Sequence, residues 1–174
     1  MVHSKYKESS NTDLKKRIAI NEKFQKSNFI DWQKKKYFEA LNRIKFKKEN
    51  PNILDVGCGT GLQIEIFLKK FKKCSILATD ISSNSLKQAK QKFKNKNVIF
   101  KKIDMDLIPK FFNNKKKINF DLIHSSYALY YSKNPKKILK NFSKYLNSGG
   151  AMIISSPDEP HEMVNFVKKN AVVK

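Results

Sequence analysis

The chain has 174 residues, 40% of them hydrophobic, and a formal net charge of +22. That length suits one domain with a buried core, and no apolar run approaches the roughly 18 residues of a membrane span. Met1 to Glu8 hold no apolar stretch, and Cys58 and Cys74 make no C-x-x-C pair, so no secretory leader is expected and a reduced, cytoplasmic protein is.

Residues 1–50 read as a polar helical extension. Leu14, Ile18 and Phe24 recur at helical spacing over Asp13–Lys26, as do Phe29, Trp32, Phe38, Leu41 and Ile44 over Phe29–Lys47. Asn50-Pro51 stops the second helix. The Trp32 and Phe29 rings are expected either to pack or, if the extension caps the cleft, to line a substrate pocket. From residue 51 strands and helices alternate. The strands are expected at Ile53–Val56, Ser75–Thr79, Val98–Ile103, Phe120–His124 and Ala151–Ser155, with helices near 62–71, 84–94, 135–147 and 160–169. Alternation with Val- and Ile-rich strands predicts a parallel sheet wrapped by helices and joined by right-handed crossovers. Pro135 suits a helix start, and Gly149-Gly150 is expected to stop that helix. About 20 residues follow the fifth strand, too few for a helix and two further strands of roughly 5–6 residues each. The fifth strand is therefore expected to be the last, which leaves an apolar edge at Met152-Ile153-Ile154. Such an edge invites association, here a homodimer.

The richest stretch is Ile53-Leu54-Asp55-Val56-Gly57-Cys58-Gly59-Thr60-Gly61, an apolar strand entering a turn with glycine at 57, 59 and 61. Glycines there let the backbone turn tightly and bring its N–H groups against a ligand. A dinucleotide fingerprint would place its third glycine at 62, where this chain has Leu62. Asp55 would also repel a diphosphate and attract an amine or a positive sulfur. The second strand ends in Asp80, 19 positions past Gly61, where a carboxylate accepts hydrogen bonds from ribose hydroxyls in nucleotide-binding βαβ units. Ser82 and Ser83 are the better caps for the helix that follows.

These features resemble the class I S-adenosylmethionine-dependent methyltransferases, small-molecule type, and the resemblance extends over residues 51–158. It implies an α/β, Rossmann-like doubly wound sheet of order 3-2-1-4-5, with 1–50 as a cap over the cofactor cleft and 51–174 as a cofactor-binding domain that is C-terminally short, lacking the two strands the family usually adds after the fifth. The implied cofactor is S-adenosylmethionine, held by Asp55, Gly57, Cys58, Gly59, Gly61, Asp80, Ile81, Asp104, Met105 and Ser125. In that pattern the acidic residue after strand three, Asp104, accepts the adenine amino group and Met105 lies along the ring. The alternative is a loop aspartate capping Leu107–Phe112, a role that suits Asp106. Strand four ends in Ser125-Ser126 and runs into Tyr127-Ala128-Leu129-Tyr130-Tyr131, matching the family's small polar residues followed by an aromatic pair. An Asn/Asp-Pro-Pro-aromatic motif is absent there, which argues against methylation of nucleic-acid amino groups. No dedicated base is obligatory. His124, Tyr127, Tyr130 and Tyr131 are the candidates for orienting the acceptor or removing its proton, and a core role for His124 is the competing reading.

No metal site is expected, because Asp158, Glu159, His161 and Glu162 read as an acidic first helical turn. Only Arg17 and Arg43 are arginines against 35 lysines spread along the chain, which suits a solvated surface better than base or phosphate readout. The expected partner is a small-molecule acceptor, with no specific nucleic acid and no membrane. An RNA- or protein-modifying enzyme docking through lysines, and a non-catalytic cofactor-binding module, are the alternatives.

Overall fold

The computed structural model describes residues 29–113 and 118–156. The helices expected at Asp13–Lys26 and at 160–169, the residues around Asp158 and His161, and the question of strands beyond the fifth lie outside the described residues. In chain order the elements are α1 (Phe29–Arg43), β1 (Asn52–Val56), α2 (Leu62–Lys70), β2 (Ser75–Asp80), α3 (Ser83–Lys92), β3 (Val98–Lys102), α4 (Ile108–Asn113), β4 (Phe120–Ser126), α5 (Pro135–Lys144) and β5 (Leu146–Ser155). Short 3-10 turns stand at Met105–Leu107 and Leu129–Tyr131. The sheet order is β3-β2-β1-β4-β5, and every pairing is parallel. This is the expected doubly wound arrangement. The chain reverses its direction of travel between β1 and β4, and a crevice opens there beyond the strand carboxyl ends.

Alternation along the strands feeds two cores. Ile53 and Leu122 point to a cluster with Tyr37 and Leu41 of α1, Ile64 and Phe67 of α2, and Leu86 of α3. Leu54, Val56 and Ile123 point the other way, against Ile108 and Phe112 of α4 and Ile138 and Phe142 of α5. Burying Phe67 and Phe142 completely stabilises by about 1.5–3 kcal/mol each. α1 therefore belongs to the core of the sheet domain. Its buried face is Gln33, Tyr37 and Leu41, whereas Trp32, expected to pack or to line a pocket, is 48% exposed.

The helix after β4 ends sooner than the sequence suggests. The helix from Pro135 ends at Lys144, and Gly149-Gly150 lies inside β5. The Tyr145 carbonyl accepts from the Phe120 N–H at 2.8 Å, which draws Leu146 into the sheet at once. The register then slips, with Phe120 opposite Leu146 but Leu122 opposite Ala151. The surplus residues form a bulge pinned by Asp121, which accepts from the Asn147 side chain at 2.7 Å and from the Asn52 N–H at 2.9 Å. At Gly150 a Cβ would stand 3.0–3.2 Å from the carbonyl oxygens of Asn147, Phe120 and Asp121, so a glycine is needed where the backbones crowd.

Candidate cofactor site

The three turn glycines all have positive φ, +71° at Gly57, +54° at Gly59 and +88° at Gly61, yet they do different work. A Cβ on Gly57 would lie 2.3 Å from the Ala128 Cβ, and one on Gly61 would lie 2.5 Å from the Phe93 ring. These two glycines let the β4 loop and α3 close against the turn. Gly59 has nothing within 4 Å of its absent side chain and faces open space. The turn itself is fastened to β2, because the Gly57 and Cys58 N–H groups both donate to the Thr79 carbonyl, at 2.8 and 3.0 Å.

Asp80 closes the second side. One carboxylate oxygen accepts from the Gly59 N–H at 2.8 Å and the other from the Ser82 N–H at 2.8 Å. Burial raises its pKa above the ordinary value, against those bonds and with the charge of Asp55 adding to the rise. Each oxygen retains a second lone pair for a ligand hydroxyl. Ser82 caps α3 by accepting from the Ser85 N–H, as the sequence suggests, which frees Asp80 from that task. Ile81 is half-buried beside it. Burial also drives the Cys58 thiol well above its ordinary pKa, helped by Asp55 and Asp80, so Cys58 is a neutral filler of the turn.

After β3, Asp104 and Met105 are half-buried at the start of the 3-10 turn. Asp104 caps that turn, accepting from the Asp106 N–H at 3.0 Å. Asp106 reaches across to the loop after β4 instead, accepting from the Ser132 hydroxyl and from the Lys133 N–H at 3.0 Å.

Asp55 and His124 meet one another across the β1–β4 seam. They sit opposite one another on β1 and β4, hydrogen-bonded at 2.7 Å and almost fully buried, with the Tyr37 and Phe67 rings edge-on to the imidazole at 5.1 and 5.3 Å. His124 thus takes the core position, bonded to one oxygen of the buried Asp55. Asp55 Oδ2, His124 Nε2 and Ser125 Oγ have no hydrogen-bond partner among the described residues. Ser125 is fully buried on the opposite face.

Tyr127 follows β4 with φ +50°, an uncommon conformation for a bulky residue and one associated with functional loops. Its N–H donates to the Ser155 carbonyl at 2.9 Å, and burial raises its phenol pKa. Tyr130 and Tyr131 stack with centroids 4.4 Å apart. Near them lies a polar group that sequence reading missed. Tyr37 shares a hydrogen bond with Ser155, whose hydroxyl donates to Ser126 at 2.9 Å, and Gln63 donates to Ser126 at 3.4 Å. Only the i, i+4 relation of Tyr37 to Leu41 hinted at its inward face.

A turn with an outward-facing glycine, a carboxylate at the end of β2 and a second one at the end of β3 fit a nucleoside without a diphosphate. A family profile described as "Methyltransferase domain" matches residues 47–173. The chain belongs to the class I S-adenosylmethionine-dependent methyltransferases. Among curated relatives of this methyltransferase, the malonyl-[acyl-carrier protein] O-methyltransferase of Priestia megaterium (strain DSM 319 / IMG 1521) is 28% identical over 145 residues, covering 82% of this chain and 50% of the relative. The malonyl-[acyl-carrier protein] O-methyltransferase 2 of Ilyobacter polytropus is 33% identical over 105 residues, covering 60% and 39%. The structure of the plantazolicin methyltransferase BpumL in complex with SAH superposes with a TM-score of 0.60 at 26% identity, over 83% of this chain and 53% of that one. The chain thus spans half or less of the length of these curated relatives. Among the described residues no helix is long and apolar enough to cross a membrane.

Proposed function

We propose that this methyltransferase domain binds S-adenosylmethionine over the glycine turn and transfers its methyl group to a small-molecule or carrier-linked acceptor. The observation that carries the reading is Gly59, the turn glycine that faces open space, with the Asp80 carboxylate bonded to its N–H. In this reading Asp80 accepts from the ribose hydroxyls, Asp104 from the adenine amino group, and Met105 lies along the base. When bound, the cofactor supplies the activated methyl group. The residues of the chain bind, orient and keep water out.

Alignment of the acceptor with that methyl group contributes roughly 7–11 kcal/mol through proximity. Tyr127, Tyr130 and Tyr131 are assigned to the acceptor side. A phenol whose pKa is raised, as at Tyr127, stays protonated at neutral pH and orients by donating a hydrogen bond rather than by taking a proton. Acceptors that are already nucleophilic, such as carboxylates, suit a site so equipped. The names of the relatives point the same way, because malonyl groups on a carrier present a carboxylate. The charge of +22 keeps a second reading in play, a macromolecular acceptor such as RNA docked through lysines. Calorimetry with S-adenosylhomocysteine and with NAD tests the cofactor. Transfer of labelled methyl to a malonyl thioester or to RNA then tests the acceptor. Binding of NAD, or no binding of S-adenosylhomocysteine, refutes the cofactor assignment.

A further inference from the structure

The carboxylate of Asp106 is spent entirely outside its own loop. The residue sits in the 3-10 turn that follows β3, where its N–H donates to Asp104 at 3.0 Å. Its two carboxylate oxygens accept from the Ser132 hydroxyl and, at 3.0 Å, from the Lys133 N–H. Ser132 is buried, and its oxygen also accepts from the Asn134 N–H at 3.1 Å. Asn134 then caps α5 by accepting from the Lys137 N–H at 3.0 Å. One carboxylate therefore joins the loop that carries Asp104 and Met105 to the loop that carries Tyr130 and Tyr131 and to the start of α5. Hydrogen bonds to a charged acceptor are the stronger kind. The segment they hold is irregular, with Leu129 and Ala128 buried beneath it. It begins at Tyr127 with positive φ, makes one 3-10 turn closed by Tyr131 and Ser132 N–H bonds to Ala128 and Leu129, and ends where α5 begins.

We propose that Asp106 is a positioning residue that couples the nucleoside side of the crevice to its acceptor side, so that cofactor held at Asp104 and Met105 fixes the loop bearing Tyr130 and Tyr131. The proposal rests on the cofactor reading above. Asp104 is the other half of the device. The carboxylate that would accept from an adenine amino group also accepts from the Asp106 N–H, so ligand contact at Asp104 acts directly on the backbone of Asp106. Coupling of this kind is reciprocal, and an acceptor bound against the tyrosines would tighten the cofactor by the same factor.

Amide hydrogen exchange on the full chain, with and without S-adenosylhomocysteine, tests it. In the parent the ligand should slow exchange at 57–61 and 104–106, and also at Tyr131, Ser132 and Lys133, by about fivefold or more. In Asp106→Asn, whose side-chain amide cannot accept from both donors, the first two responses should persist while the third falls below about twofold. A purely structural Asp106 would speed exchange at Tyr131 to Lys133 equally with and without ligand and leave the ratio unchanged. Should Asp106→Asn fail to fold, Ser132→Ala decides, because it removes one of the two bonds and keeps the Lys133 contact. An equal ratio in parent and variant overturns the coupling, as does a parent in which 57–61 responds and Tyr131 to Lys133 do not. No response at 57–61 in the parent overturns the cofactor reading and the coupling with it.

Discussion

Alanine placed at Gly57 and at Gly59 should separate fold from binding. At Gly59 the new Cβ meets nothing within 4 Å, so the cost is the left-handed backbone, φ +54°, imposed on an L-residue. That is about 1–2 kcal/mol. At Gly57 the same backbone term applies at φ +71°, and the Cβ lands 2.3 Å from that of Ala128. Overpacking adds about 1–3 kcal/mol, for a total of about 2–5. With a urea slope of about 2 kcal/mol per molar, the unfolding midpoint should fall by about 0.5–1 M in Gly59→Ala and by about 1–2.5 M in Gly57→Ala. Adding Ala128→Gly should restore part of the Gly57→Ala loss and none of the Gly59→Ala loss, a coupling that a double-mutant cycle reads directly. Binding should run the opposite way. Gly59→Ala should lose tenfold or more in S-adenosylhomocysteine affinity by calorimetry, about 1.4 kcal/mol, since its methyl group stands where the ligand is assigned. A Gly59→Ala protein that binds like the parent would sink the idea that this turn cradles the cofactor, and equal midpoints for the two variants would refute the contact with Ala128.

Asp80→Ala should weaken S-adenosylhomocysteine by about 1.5–3 kcal/mol, seen by titration, and an unchanged affinity would remove the ribose assignment. Because the Asp80 pKa is raised and the ribose needs the ionised form, affinity should fall with acidification at a pH above the ordinary aspartate range. The linked effect on folding has the other sign, since a raised carboxyl pKa favours the folded state below the unfolded value and that contribution is lost as pH rises through the folded one. His124→Leu should cost about 1–3 kcal/mol in urea unfolding, because it leaves the buried Asp55 without its hydrogen-bond partner, while methyl transfer per folded molecule changes little. A stable variant with abolished turnover would instead make His124 the base. RNA should bind without sequence preference and be lost steeply between low and physiological salt in a filter assay, and a salt-tolerant complex with one RNA would promote the macromolecular reading.

The order of the sheet and the place of the glycine turn were legible because both depend on local patterns, alternation for the strands and three glycines for the turn. What each glycine does was not legible. Gly57 answers to Ala128 and Gly61 to Phe93, atoms delivered by other elements, and only Gly59 answers to open space. Gly149-Gly150 looks like a helix stop in sequence, but the stop comes earlier because Tyr145 pairs with Phe120, a contact no local window contains. The stripe on α1 was misjudged for a related reason. Trp32 is the larger ring, yet the helix turns Gln33, Tyr37 and Leu41 inward to meet Ser155 and the sheet. Asp55 was read by its charge toward a ligand, and that one of its oxygens meets His124 depends on the β1–β4 register, which no local window contains. Asp104 and Asp106 were both singled out, but which of them caps and which reaches across depends on Ser132, a residue with no motif of its own.

The parallel seam between β1 and β4 also sets a timetable for synthesis. β1 is buried on both faces, and its Ile53, Leu54 and Val56 meet β2 along one edge and β4 along the other. On the ribosome β2 arrives soon after β1. β4 follows only roughly 60 residues after β1, which at about 5–20 residues per second is several seconds. During that interval β1 offers an open edge to any other chain. Substitutions along Phe120–Ser126 should therefore reduce the yield of folded protein in the cell more than their effect on the finished molecule suggests, because they prolong the time that β1 waits for its second neighbour.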